Sequence, residues 1–381
     1  MLKFFILFFI LVFSIYSIVK VDTYDSKTII VGSSLPKTGI IKSWGESVIS
    51  GANSYFKFAN DTKILGDTKI NFLTYDDKYE PELTKDNTEK LINIDKVFAL
   101  FGFVGTPTVK AILPILQDSK IPFFAPFTGA SFLRNEENKN FINLRSSYEE
   151  EIESLIYYLY NKSGLKKIAV FYQNDDYGEE GYVALLKSLK ARKLPLISEG
   201  SYKRNTLSIT HAFNEIKDAK PEAIIMIGAY QANALFIKKA KENENFKNTI
   251  FCNISFGDAN AMVKELNKYE VNTKNLIFSQ VVPSYTDNSL PVVLEYQTLM
   301  KRYYPNTKLG FISFESFLSA KVLVNAILRI EGDRTREKLI STLKNTPSDI
   351  LNGIGINYKN SQLLNKTYLF RYENKKFIEI K

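Results

Sequence analysis

The 381-residue sequence contains a single cysteine, Cys252, and a single histidine, His211. One thiol forms no intramolecular disulfide, and these counts support neither a cysteine cluster for zinc nor a nucleophile triad built on histidine. His211 falls inside a predicted helix, Ser208–Lys217, which suits a surface or capping role, and Cys252 reads as a buried, inert thiol. Phosphate-cradling glycine loops are missing too. No G-x-x-x-x-G-K-[ST] segment occurs, and the glycines after the first predicted strand do not make G-x-G-x-x-G. Catalysis and nucleotide binding therefore lack their usual residues, and no cofactor or metal is expected. Long basic runs are absent after the N-terminus, so the formal charge of +9, from 50 Lys+Arg against 41 Asp+Glu, reads as a solvated mixed surface. No nucleic-acid partner follows from it.

What is present is ample material for packed cores: 45% hydrophobic residues, 13% aromatic and 24% charged. Single cores stop growing near roughly 250–300 residues, so two lobes are expected. The N-terminus has the layout of an export signal, with Lys3 ahead of an apolar run from Phe4 to Val19 and a polar turn after it. That run is shorter than the roughly 20 residues of a spanning helix. Residues 1–21 are accordingly read as a signal peptide or N-terminal anchor that places the chain in the periplasm. Ser17 suits a cleavage site whereas Ile15 does not, and no cysteine follows to take a lipid, so an uncleaved anchor remains an alternative. No second segment reads as a membrane span.

From Lys27 onward, short apolar runs alternate with longer amphipathic stretches, the pattern of βαβ units and mainly parallel sheets. One series of units begins at Thr28 and a second near Ser147. The tail adds helices over Pro291–Tyr303, Phe314–Glu331 and Arg334–Leu343, then an antiparallel pair, Thr367–Tyr372 and Phe377–Ile380. Open α/β sheets bind ligands at the carboxyl ends of their strands, which directs attention to the loops there. Gly105-Thr106-Pro107-Thr108 and Phe127-Thr128-Gly129-Ala130 each offer hydroxyls and amides at a predicted helix start, where an anionic group is favoured. Tyr177 and Tyr230 close corresponding loops of the second series, so a carboxylate-binding cleft between the series is a coherent reading. Trp44, the only tryptophan, suits core packing or an apolar wall against ligand. The adjacent carboxylates Asp76-Asp77 and Asp175-Asp176 suit turns and caps better than a cation site.

In order and spacing, several of these segments resemble one family. They are Leu35-Pro36-Lys37-Thr38-Gly39 with Trp44-Gly45, Gly102 to Thr108, Ile121 to Ala130, Asp176-Tyr177-Gly178, Gly228-Ala229-Tyr230 and the late helix Ser313–Ile327. The family is the Leu/Ile/Val-binding-protein-like branch of type I periplasmic binding proteins, the substrate-binding components of ABC importers. The resemblance implies an α/β fold of two Rossmann-like lobes with parallel sheets, joined by three crossovers and closing on ligand like a hinge. It implies lobe 1 over 27–145 plus 283–350 and lobe 2 over 146–282 plus 351–381. It also implies a monomer that takes a small molecule to an ABC permease in the membrane and is not an enzyme. By matching positions, Thr106, Pro107, Thr108, Phe127, Thr128 and Gly129 would hold the ligand's polar end, and Trp44, Tyr177 and Tyr230 would supply aromatic walls. In branched-chain amino acid binders an acidic residue pairs with the ligand's ammonium in the loop where this chain has Ser255. An ammonium buried without a carboxylate is costly, so either Asp258 substitutes for that residue or the ligand is a carboxylic acid lacking an α-amine. The same fold also serves receptors, which leaves a ligand-sensing module as the second reading.

Overall fold

The computed structural model describes residues 27–135 and 137–380, so the N-terminal export signal lies outside the described residues. The first sheet is built from β1 (Thr28–Leu35), β2 (Lys69–Asp76), β3 (Ala99–Phe101), β4 (Phe123–Phe124) and β5 (Phe141–Ile142), in the order β2-β1-β3-β4-β5. Its pairings are all parallel. The second sheet contains β6 (Ile168–Gln173), β7 (Leu196–Tyr202), β8 (Ala223–Ile227), β9 (Ile250–Asn253), β10 (Leu276–Gln280), β11 (Tyr368–Glu373) and β12 (Lys376–Ile380). Its order is β12-β11-β10-β9-β8-β6-β7. The parallel part, β7-β6-β8-β9-β10, repeats the order of the first sheet, and the terminal hairpin is added antiparallel on the β10 edge. Asn374 and Lys375, both at positive φ, make the tight turn of that hairpin.

Buried apolar sequence explains the strands at the centre. β8 is Ala-Ile-Ile-Met-Ile with every residue buried, as a parallel strand covered by helices on both faces requires. Cys252 lies in β9, fully buried, where burial pushes its thiol well up.

The first lobe carries α1 (Lys42–Asp61), α2 (Pro81–Asn93), α3 (Thr106–Ala111) and α4 (Leu113–Ser119). The second carries α5 (Tyr148–Ile156), α6 (Asp176–Ala191), α7 (Thr210–Lys217), α8 (Tyr230–Lys241) and α9 (Ala259–Lys268). The single helix expected after Gly105 is broken at Ile112, because Pro114 has no N–H to donate to Lys110 four residues back. α10 (Pro291–Tyr303), α11 (Phe311–Leu328) and α12 (Arg336–Lys344) return to the first lobe, where α10 and α11 lie on α1 and α12 approaches β5. By length and composition α11 could cross a membrane, a property not anticipated from the sequence, but 89% of its apolar window is buried inside the protein. It is a core helix.

The chain thus passes from the first layer to the second after Ile142, back after Gln280, and across again before Tyr368. Two of these passages run side by side. Asn143 donates its N–H to Ser361 O and accepts from Leu363 N–H, and Leu144 accepts from Leu364 N–H, at 2.8–3.0 Å. Ser146 adds hydroxyl bonds to Leu364 O and Lys366 O.

α1 and α11 meet at Gly51, where a β-carbon would sit 2.1 Å from the Ser313 carbonyl oxygen, and Ser316 Oγ donates to Val48 O at 2.7 Å nearby. Gly51→Ala forces the two helices apart and lowers the unfolding free energy by about 1–3 kcal/mol, measurable as a lower urea midpoint by circular dichroism.

Candidate ligand cleft between the lobes

In each sheet the strand order reverses beside the first strand of its series, between β1 and β3 and between β6 and β8. The crevice beyond the carboxyl ends at that reversal is where open α/β sheets present ligand-binding loops. Here the two crevices face each other. Trp44 stands in the first turn of α1, Thr106 opens α3, and Phe127 to Gly129 follow β4. From the second lobe come Tyr177 at the start of α6, Tyr230 at the start of α8, and the 3-10 turn Ser255–Gly257 after β9.

Aromatic side chains form the contact between the lobes. Trp44 stacks on Phe256 with centroids 4.8 Å apart and 25° between planes, and its indole N–H donates to Phe256 O at 3.3 Å. Phe127 meets Trp44 edge-on at 5.6 Å, and Tyr177 packs on Phe256 at 4.6 Å and on Tyr148 at 5.4 Å. Tyr79 approaches Phe256 at 6.0 Å, and its hydroxyl accepts from Gln173 Nε2 at 3.2 Å. The lobes are also tied by Ser43 Oγ donating to Asp258 at 2.7 Å, by Arg204 and Asn205 on Glu80 at 3.0 and 2.6 Å, and by Ser131 on Glu180. The described conformation is therefore closed.

The polar floor of this cleft comes from the two hydroxyl loops. Thr106 Oγ1 and Thr128 Oγ1 are 2.8 Å apart, the Tyr148 hydroxyl lies 3.4 Å from Thr106, and Thr128 Oγ1 accepts from Ala130 N–H. Pro107 sits in the first turn of the helix, where its missing N–H leaves no intrahelical bond unmade. The Thr108 hydroxyl is spent on Val104 O and Gly105 O, one turn back along its own helix, so it does not reach the other threonines. Gly129 allows Tyr148 to approach, because a β-carbon there would lie 2.5 Å from the Tyr148 nitrogen. Tyr230 stands near Ser43 at the cleft rim, its hydroxyl also bonded by Gln231 Nε2. Ser255 is held within its own lobe, donating N–H and Oγ to Glu151 at 2.8 Å each, and Ser279 Oγ completes the same carboxylate at 2.6 Å.

Behind the aromatic wall lies an ion pair that the sequence did not announce. Arg145 donates two parallel hydrogen bonds of 2.9 Å, from Nε and Nη2, to the two carboxylate oxygens of Glu315, with both side chains fully or nearly fully buried. The guanidinium lies about 6 Å from the Trp44 and Phe127 rings. Burial works against charge on both partners, and the carboxylate's field with its hydrogen bonds outweighs it, holding Arg145 above its ordinary pKa. Arg145 Nη1 and the Tyr177 hydroxyl are buried with no hydrogen-bond partner among the described residues. Burial, then the neighbouring Tyr148, pushes the Tyr177 phenol well up, which keeps it a neutral donor.

Phe256, Tyr148, Arg145, Glu315, Tyr79 and Gln173 all escaped the sequence reading. Phe256 carried a signal, since it follows Ser255 in a loop already under scrutiny. Carboxylates first considered for cations are occupied by protein donors. Asp76 accepts from the amides of Lys37, Thr38 and Lys78, and Asp175 caps α6. Asp258, the residue considered as partner to a ligand ammonium, caps α9. His211 is exposed. A cavity of about 800 Å³ opens beside Gly129, where Glu149, Glu150, Glu153 and Glu180 outnumber Arg134 and Lys187 in the lining, which disfavours an anion there.

A family model described as periplasmic binding protein matches residues 28–376. The chain belongs to that family. Among solved structures, this periplasmic binding protein is similar to a possible leucine/isoleucine/valine-binding protein from Rhodopirellula baltica SH 1, at 30% identity and TM-score 0.87, covering 93% of this chain and 96% of that one. A substrate-binding periplasmic protein from Ralstonia solanacearum aligns at 26% identity and TM-score 0.86, covering 92% and 100%. Leu/Ile/Val-binding protein homolog 7 of Brucella abortus is 20% identical over 319 residues, 81% of this chain and 78% of its own length. A stretch of 161 residues, 39% of this chain, is 27% identical to receptor-type adenylate cyclase B of Leishmania donovani and spans 12% of that protein. The two-lobed fold, the parallel sheets and the non-catalytic binding role implied by the sequence resemblance are those of the family.

Two measurements probe this architecture. Glu315→Gln leaves the Arg145 charge buried and unpaired and costs about 3–5 kcal/mol in urea unfolding, much of it recovered when Arg145 and Glu315 are both replaced by methionine. Asp77 is buried under Tyr79, accepts from Ser34 Oγ and Tyr79 N–H, and is pushed up to about 6 by burial. Its folded pKa exceeds the unfolded value, so its favourable contribution is complete below about 4 and lost as pH rises through about 6. From pH 7 to pH 5 the native chain gains about 1 kcal/mol relative to Asp77→Asn, read from parallel urea titrations.

Proposed function

We propose that this chain is an extracytoplasmic solute-binding protein that captures a small carboxylate-bearing molecule by closure of its lobes and presents it to an ABC permease. The carrying observation is the pair of unpartnered buried donors, Arg145 Nη1 and the Tyr177 hydroxyl, in the same cleft as the joined Thr106 and Thr128 hydroxyls. A buried donor without an acceptor costs roughly 1–3 kcal/mol, and a carboxylate supplies acceptors for both. Bodies of 27–145 plus 283–350 and 146–282 plus 351–381 swing about the paired crossovers. The Ser255 position and the commitment of Asp258 to Ser43 and its helix cap argue against an α-ammonium requirement. A periplasmic location and a monomeric state accord with the role.

A second reading is supported by the receptor-type adenylate cyclase match. In it the same clamp senses its ligand instead of delivering it.

Thermal-shift and calorimetric titration of small organic acids and amino acids tests the proposal. A cognate carboxylate at a thousandfold excess over its Kd stabilises the protein by about 4 kcal/mol. Thr128→Val weakens that ligand at least tenfold, about 1.4 kcal/mol. If no carboxylate shifts the midpoint, or Thr128→Val binds like the native chain, the proposed ligand class is wrong.

A further inference from the structure

We infer that Phe256 sets the size of the ligand, restricting the cleft to compact carboxylates and excluding acids with a branched or aromatic body. The inference rests on the carboxylate reading and goes beyond it. The ring of Phe256 is wholly buried and lies between the walls of both lobes, stacked on Trp44 and packed on Tyr177. Ring centroids at 4.6–4.8 Å are in van der Waals contact, so no apolar group of comparable thickness fits between those walls in the closed state.

This placement is held from three sides. Ser255, one residue before, is fixed through its N–H and hydroxyl by Glu151, itself buried. Asp258, two residues after, caps α9 and accepts from Ser43 across the cleft. The backbone oxygen of Phe256 receives the Trp44 indole N–H. A side chain on a turn pinned at both ends does not swing aside as a free surface phenylalanine would. The protein's own ring therefore fills the apolar half of the contact between the lobes, and in the carboxylate reading the ligand's partners are the hydroxyls of Thr106, Thr128 and Tyr148 with the unpartnered donors of Arg145 and Tyr177.

The experiment titrates acetate, glycolate, isovalerate and benzoate by calorimetry into the native chain, Phe256→Ala and Phe256→Leu. The native chain and Phe256→Leu, which keeps most of the volume, bind one of the two small acids and neither larger one. Phe256→Ala gains at least tenfold in affinity for benzoate or isovalerate. Phe256→Val replaces the alanine variant if circular dichroism shows that protein unfolded. Native binding of benzoate or isovalerate as tight as that of the truncated variant overturns the size role. So does small-acid binding by the native chain with no gain in the truncated one, a result that leaves the carboxylate reading standing. If no variant binds any of the four acids, the carboxylate reading fails and the size role fails with it.

Discussion

The Arg145–Glu315 pair is the constraint around which the lobes are arranged. Arg145 belongs to the crossover that leaves β5, and Glu315 to α11, the apolar core helix of the first lobe. Their bidentate bond fixes the point from which the hinge departs. Three residues on, Tyr148 opens α5 and meets both Thr106 and Tyr177, so the anchor and the cleft are contiguous. Exchanging such a pair for well-packed apolar side chains is often neutral in stability. Its worth here is geometric, because it keeps a cation beneath the aromatic wall while spending only part of that cation's hydrogen-bonding capacity.

The closed state balances dissimilar terms. Stacked rings and a few hydrogen bonds hold the lobes together, while the buried donors left without acceptors oppose closure. A ligand that supplied acceptors would remove the opposing term, since a ligand shifts a two-state equilibrium only by its differential interaction with the two states. An exposed contact at the rim, such as Lys110 with Asp176, contributes little.

Much of the fold was legible because parallel strands write themselves as continuous apolar runs and helices as a 3.6-residue period. Ala223 to Ile227 and Pro291 to Tyr303 were readable for that reason. The two-residue strand β5 has too little sequence to carry any period and went unseen. The break at Ile112 was concealed by a helical pattern that continues across Pro114. In the cleft, residues on loops after strands could be named, since those loops announce themselves through Thr, Gly and Pro. Arg145 and Glu315 are 170 positions apart, and nothing local in either segment marks them as partners. Phe256 looked like one more apolar residue until the opposite lobe showed what it packs against.

The return of α10–α12 to the first lobe has a temporal meaning. α1 is not fully covered until residues 291–328 exist, and the second sheet gains its antiparallel hairpin only from residues 368–380. Neither half can mature as an early, self-sufficient unit during synthesis. Contacts of such long sequence separation fold slowly, so each half completes its packing only after its distant segment has been made.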